Sequence, residues 1–336
     1  MFINKIPYII AEIANAHDGN CDLALKIAQS AIKSGSDAIK FQIFNRTELL
    51  TKTNTFNDLF KSIEISTDEW YEILNKTSKS TIDIIVEVFD ILSLKFAENT
   101  GLVNAYKIPA SSLVDYDLLK YVGETNKPIY LGVGGATWEE IVSSHNYLKK
   151  ITQSNIILIC GFQNFPTLLE NSSLFQVVSL KKKFKCEVGY ADHVDADNRE
   201  MAQFIPGLAY SLGASVLEKH ITDDRNKKGT DYYSSLNPDE FFEFVNFIHQ
   251  LPRIIGDEKK WVLTDSELKY RNYTLKKAVA GKYLPADSKF DVNNVVYKRT
   301  NESGLSALQI KRYDGKKLYR SKNIDDAFAI DDFIKL

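Results

Sequence analysis

The chain has 336 residues, 44% of them apolar and 26% charged, enough for one large domain and a smaller one. Its formal charge of −2 provides no net basic field for nucleic acid or an acidic membrane surface, and no apolar run is long enough to span a bilayer. The opening MFINKIPYIIAEIA lacks a secretion-signal pattern, and Cys21, Cys160 and Cys186 lack CxxC spacing, which fits reduced thiols in a cytoplasmic protein.

In chain order the pattern is strand, loop, helix, repeated. Continuous apolar runs predict strands over Tyr8–Ala14, Ala38–Phe41, Ile82–Phe89, Ala105–Ile108, Ile129–Val133, Ile156–Cys160, Glu187–Tyr190 and Val216–Lys219. Helical spacing predicts helices over Asp22–Lys33, Glu69–Lys79, Leu92–Thr100, Tyr116–Thr125, Ser173–Phe184, Glu200–Leu212 and Pro238–Gln250. Thr137 and Glu140 form a capping-box pattern that opens one more helix, reaching Lys149. Residues Asn45–Asp68 read as a partly irregular insertion. Eight strand–helix units in roughly 250 residues favour a closed (β/α)8 TIM barrel, an α/β fold, over an open sheet.

In such a barrel the chemistry sits at the C-terminal ends of the strands. Glu12, Lys40, Gln42, Glu87 and Lys107 fall at ends of the first four predicted strands, with His17 in the first loop. Gln163 and Asn164 follow the sixth strand, His193 the seventh and His220 the eighth. Charges inside apolar strands are costly to bury unless paired, so Glu12, Lys40 and Lys107 read either as a site or as a structural salt-bridge network in the barrel mouth. The two lysines suit a doubly anionic ligand such as a phosphorylated carboxylic acid. His193 and His220, at neighbouring strand ends, can share one divalent metal with open coordination positions; solvated or hydrogen-bonded imidazoles are the other reading.

The barrel is expected over residues 1–252 and a charged linker over 253–272. The remainder, 273–336, alternates short apolar pieces with turn residues and predicts a small, mostly β domain that needs a larger surface to pack on. Trp70, Trp138 and Trp261 read as packing residues, and Lys181–Lys183 as a solvated helix end. Gly132, Gly134 and Gly135 read as a tight turn, and Tyr232–Tyr233 as either packing or a sugar platform.

Several long stretches, in this order, carry a resemblance. YIIAEIANAHDGN, GSDAIKFQIF, GYADHVD and GASVLEKHITDDRNKKGTD resemble motifs of the sialic acid (N-acetylneuraminate) synthase family, which includes legionaminate and pseudaminate synthases. The C-terminal segment looks like that family's antifreeze-like (SAF) domain. The resemblance implies condensation of phosphoenolpyruvate with an amino-sugar aldehyde, giving a nine-carbon 2-keto acid and phosphate with Mn²⁺ or a similar ion. It also implies a homodimer in which the SAF domain of one chain covers the other's barrel mouth. Carried over residue by residue, it makes His193 and His220 metal ligands and Lys40 and Lys107 the cations for phosphoenolpyruvate. Glu12 becomes the carboxylate that orients or deprotonates the attacking water. Gln42 and Asp231 fall where the family contacts the sugar or the reacting groups, and Arg299 matches an arginine that reaches the partner's sugar. Outside that carry-over, Ser111 or Ser112 can replace a lost hydroxyl, and Gln163 or Asn164 can supply amide donors at the substrate.

The chain departs from the family's pattern where small hydroxyl residues usually surround the phosphate: Glu87, Ala110 and Ala191 stand there instead. Those departures keep two other readings open, a metal-dependent aldolase with a pyruvate-type donor and a non-catalytic relative that binds a sugar or a partner protein.

Overall fold

The structure, a computed structural model, describes residues 6–163, 166–256 and 261–335. It divides into two compact units, Met1–Glu258 and Lys259–Leu336.

The first unit is a closed parallel barrel. Its strands are β1 (Tyr8–Ala14), β2 (Ala38–Ile43), β3 (Asp83–Val88), β4 (Ala105–Ile108), β5 (Ile129–Gly132), β6 (Ile156–Cys160), β7 (Val188–Asp192) and β8 (Val216–His220), each paired with its neighbours and β8 closing on β1. The apolar runs hide an alternation of period two. Ile9, Ala11 and Ile13 of β1, with Ile39, Phe41 and Ile43 of β2, point outward into the core shared with the helices. Ile10, Ala38, Ile85, Ala105, Ile157 and Val216 point inward and fill the barrel's lower interior. Parallel register then carries the inward positions upward: Glu12 lies beside Lys40 and His220, and Glu87 beside both Gln42 and Lys107. Every charged strand residue near the mouth is therefore assigned a side by its register.

The predicted strands are present with shifts of one or two residues at their ends. β7 runs to Asp192 rather than Tyr190, which brings Ala191 into the sheet. The Thr137–Glu140 capping box is formed and opens the helix Trp138–Ile151. The insertion after β2 contains two short helices, Arg46–Leu49 and Asn57–Ile63. Trp70 is buried edge-on against His17 and Phe41, and the half-exposed Trp138 packs on Phe184 with ring centroids 5.6 Å apart, whereas Trp261 is 96% exposed; a packing role fits the first two and not Trp261.

The expected linker over 253–272 is largely helical. The helix Pro238–Ile255 passes through Pro252, because a proline in the last turn removes only one backbone donor near a frayed end. A second helix, Asp265–Thr274, is opened by a Thr264–Glu267 capping box and buries none of its residues.

The second unit has an antiparallel pair, β9 (Lys277–Ala280) and β10 (Val295–Lys298), extended by isolated bridges such as Leu284 with Lys322 and Lys289 with Lys317. Short helices and turns connect these pieces. Ala278, Ala280, Leu284, Phe290, Leu318, Phe328 and Phe333 make a small core of its own, with Phe290 edge-on to both Phe328 and Phe333.

Candidate active site

A cavity of about 590 Å³ opens at the C-terminal ends of the barrel strands. Lys40, Gln42, Lys107, Ser111, Gln163, His193, His220 and Asp231 all line it, so residues spread over nearly two hundred positions of sequence meet at one mouth. Glu87, Ala110 and Ala191 line it too, which places the departures from the family's pattern in the site itself.

The floor is a ring of alternating charge. Glu218 Oε1 accepts from Lys40 Nζ at 2.9 Å and from Lys107 Nζ at 2.7 Å. Glu87 closes the other side: its Oε2 accepts from Lys40 Nζ at 2.6 Å, and its Oε1 lies 3.7 Å from Lys107 Nζ. Glu12 forms a further ion pair with Lys40. Among the described residues three carboxylates thus surround the Lys40 ammonium, as many as it has N–H donors. Burial pulls the Lys40 pKa down while Glu218 and Glu87 oppose it. Burial also penalises the charge on Lys107, but Glu218 and Glu87 outweigh it and raise that pKa. The salt-bridge network that the sequence left as a reading is present, and it lies on the cavity floor.

Glu12 is not among the residues lining the cavity. It is fully buried, and its Oε1 accepts from the amide of Ala14 at 2.6 Å. That bond spans the irregularity where β1 slips its register on β2, with Ala14 at φ 46°. Glu12 therefore fixes the bulge and Lys40 together from beneath the mouth, a place that suits positioning Lys40 better than handling water.

The two imidazoles stand side by side, ring centroids 5.2 Å apart. His193 Nδ1 lies 2.9 Å from the carbonyl oxygen of Phe162, a contact that requires the proton on Nδ1 and leaves the Nε2 lone pair as the ligating one. Burial lowers both pKa values, His193 to about 3 and His220 well below its ordinary value, so both rings are neutral, the form that binds a metal. Among the described residues no cluster of three or more His, Cys, Asp or Glu is arranged as a metal cage. The pair fits an ion held by two protein ligands with its remaining positions open. Behind it, Lys219 and Asp192 form a fully buried 2.5 Å ion pair on the helix side of β7 and β8.

Asp231 sits in the loop after β8 at φ 62° and accepts from the Asn15 amide at 3.2 Å. Burial raises its pKa. Asp18 ties the same two loops together, accepting from the Thr230 amide at 3.0 Å and from its hydroxyl at 2.7 Å. Gln42 bridges Asn15 and Glu87, at 3.2 and 3.4 Å. Gln163 and Ser111 are exposed on the cavity wall. Asn164 lies outside the described residues. Arg299 is exposed in the second unit, directly after β10.

Sequence reasoning missed two members, Glu218 and Asn15. Glu218 had a legible signal: with His220 inward, alternation turns Glu218 inward and Lys219 outward. Asn15 had none, since its place depends on the loop tied down by Asp18 and Asp231; its Oδ1 is buried without a partner among the described residues.

A closed barrel that gathers lysines, carboxylates and paired imidazoles at its strand ends is an enzyme of the (β/α)8 class. Residues 27–260 match the NeuB family, and the chain belongs to that family. The chain is 32% identical over 328 residues to the N,N'-diacetyllegionaminic acid synthase of Campylobacter jejuni, covering 93% of this chain and 96% of that one. It is 25% identical over 336 residues to the N-acetylneuraminate-9-phosphate synthase of Mus musculus, covering 95% and 90%. The crystal structure of N-acetylneuraminic acid synthetase from Leptospira borgpetersenii, in complex with citrate, superposes with a TM-score of 0.73 at 28% identity over 81% of this chain and 93% of that one.

Proposed function

We propose that this protein joins phosphoenolpyruvate to an amino-sugar aldehyde, giving a sialic-acid-like 3-deoxy-2-ulosonic acid and phosphate. The observation that carries the reading is the convergence of Lys40, Lys107, the two imidazoles and Asp231 on one cavity, in a chain of the NeuB family.

In this reading C3 of the enol attacks the aldehyde carbon, water adds at C2, and the C2–oxygen bond to phosphate breaks. Lys40 and Lys107 receive the carboxylate and phosphate of the donor and neutralise the charge that leaves with phosphate. Glu12 acts through Lys40, holding its ammonium in place. Asp231, whose pKa burial raises, exchanges a proton with a substrate oxygen. Gln42 contacts the sugar or the reacting groups, and Ser111, with Gln163 or Asn164, gives the hydroxyl and amide groups that stand in for the lost hydroxyls around the phosphate. His193 and His220 would hold a divalent ion, Mn²⁺ being the first candidate, and such an ion supplies Lewis-acid polarisation of a carbonyl oxygen. The second unit is read as the SAF-like domain of a cytoplasmic homodimer, in which Arg299 serves the partner's sugar site.

The test is phosphate release from phosphoenolpyruvate with Mn²⁺ and a panel of aldoses that includes N-acetylmannosamine and diacetamido-hexoses. Release that depends on one sugar, and that falls by at least ~100-fold in Lys107→Ala, is the expected outcome. The second reading, a pyruvate-type donor without phosphate, is favoured by one observation: Glu87 already occupies both lysines. It predicts sugar-dependent consumption of pyruvate with no phosphate released from phosphoenolpyruvate by any member of the panel.

A further inference from the structure

We infer that Glu87 is a built-in competitor for the anionic group of the donor: it holds the Lys40–Lys107 pair and must be displaced when a phosphorylated donor binds. The inference rests on the reading that these two lysines receive the donor.

Charge and geometry carry it. Two lysines face Glu12, Glu87 and Glu218, which leaves one negative charge in excess on the floor. Among the described residues lining the cavity, Lys40 and Lys107 are the only lysine or arginine side chains, so no other such cation is there to take a phosphate. The three carboxylates are not equivalent. Glu12 is committed to the Ala14 amide beneath the mouth, and Glu218 bridges both ammonium groups through one oxygen from within the sheet. Glu87 lines the cavity and grips Lys40 at 2.6 Å but Lys107 only at 3.7 Å. Its neighbour Gln42 donates to it at 3.4 Å, near the limit of a hydrogen bond. Glu218 lines the cavity too, but it bonds both ammonium groups within 2.9 Å, whereas Glu87 bonds one and only approaches the other, so of these two Glu87 is the cavity carboxylate with the weaker hold. A phosphate arriving at the two ammonium groups meets that carboxylate at contact distance, where like charges repel strongly. A donor with a single carboxylate adds less charge and leaves Glu87 on Lys40.

The experiment is calorimetric titration of the full-length protein with phosphoenolpyruvate, inorganic phosphate and pyruvate, comparing wild type with Glu87→Gln, Glu87→Thr and Lys107→Ala. Glu87→Gln keeps the shape of the side chain and guards against a folding defect in the smaller variant. Expected is at least ~tenfold tighter binding of phosphoenolpyruvate and of phosphate in both Glu87 variants, about 1.4 kcal/mol, with pyruvate affinity changed by less than about threefold. Unchanged or weaker phosphate binding in both Glu87 variants, with binding lost in Lys107→Ala, overturns the role of Glu87 and leaves the donor site standing. Binding indifferent to Lys107→Ala overturns the donor site itself, and the inference with it.

Discussion

His17 is buried, accepts from the Gly19 amide at 3.0 Å through Nδ1, and stands edge-on to Trp70. Burial lowers its pKa to about 4, so the folded chain keeps the ring neutral where an unfolded histidine takes up a proton. The sign follows. Above pH 6.5 the ring is neutral in both states and costs nothing; as pH falls the unfolded state binds the extra proton, and the penalty grows until about pH 4, where both states are charged. Its full size is on the order of 3 kcal/mol. His17→Gln, which retains an acceptor and cannot titrate, should lose less stability than wild type between pH 7 and pH 4.5, read from urea midpoints at the two pH values. Parallel pH dependence in the two proteins would remove His17 as the cause. At this scale the sequence showed which residue types gather at the mouth, since lysines, glutamates and histidines stood out against apolar strands. It did not show their pairing. Glu87 and Lys107, twenty positions apart, become partners through the register of β3 on β4, and Glu218 and Lys107, more than a hundred apart, only through the closure of the barrel.

The strands were the most legible elements, because a parallel barrel buries both faces of each strand and leaves a continuous apolar run. The loops were less so, since their course is set by tertiary ties such as Asp18 to Thr230. The glycines after β5 illustrate the difference. They form the tight turn read from the sequence, with Gly135 at φ 77° and the Ala136 amide donating to the Val133 carbonyl at 3.3 Å. Gly134 also lets two strand ends approach: a Cβ there would lie 2.2 Å from the carbonyl oxygen of Gly161 and 2.9 Å from the side chain of Gln163. Gly134→Ala must push the loops after β5 and β6 apart at the cavity wall. The expected result is a loss of stability of about 1–3 kcal/mol with a fall in turnover of at least ~tenfold, measured by chemical denaturation and by the sugar-dependent assay. Turnover at the wild-type level would mean that the wall formed by Gly134 and Gln163 does not orient substrate.

At the level of the whole molecule the sequence marked a large unit followed by a small one, and in the joining segment a proline and a run of charge concealed two helical stretches, Pro238–Ile255 running past Gln250 and Asp265–Thr274. No helix among the described residues is long and apolar enough to cross a membrane. The helix Asp265–Thr274 buries nothing, and Leu268, Tyr270 and Tyr273 on it are all exposed, as is Trp261 before it. Apolar surface of this kind fits the proposed homodimer, which predicts a mass of twice the 38.2 kDa chain in multi-angle light scattering; a mass of one chain across micromolar concentrations would exclude it. The alternation within the barrel strands has a consequence for how this protein can change. Residues that face the helices hold the scaffold, and those that face the axis divide by height: Ile10, Ala38 and Ile85 help fill the lower interior, and inward positions above them line the cavity. Replacing Glu87 or Ala191, inward on β3 and β7, or Ala110 in the turn after β4, therefore changes the lining of the cavity rather than the packing of the helices, so one inherited barrel can exchange one reagent for another by single steps at its mouth.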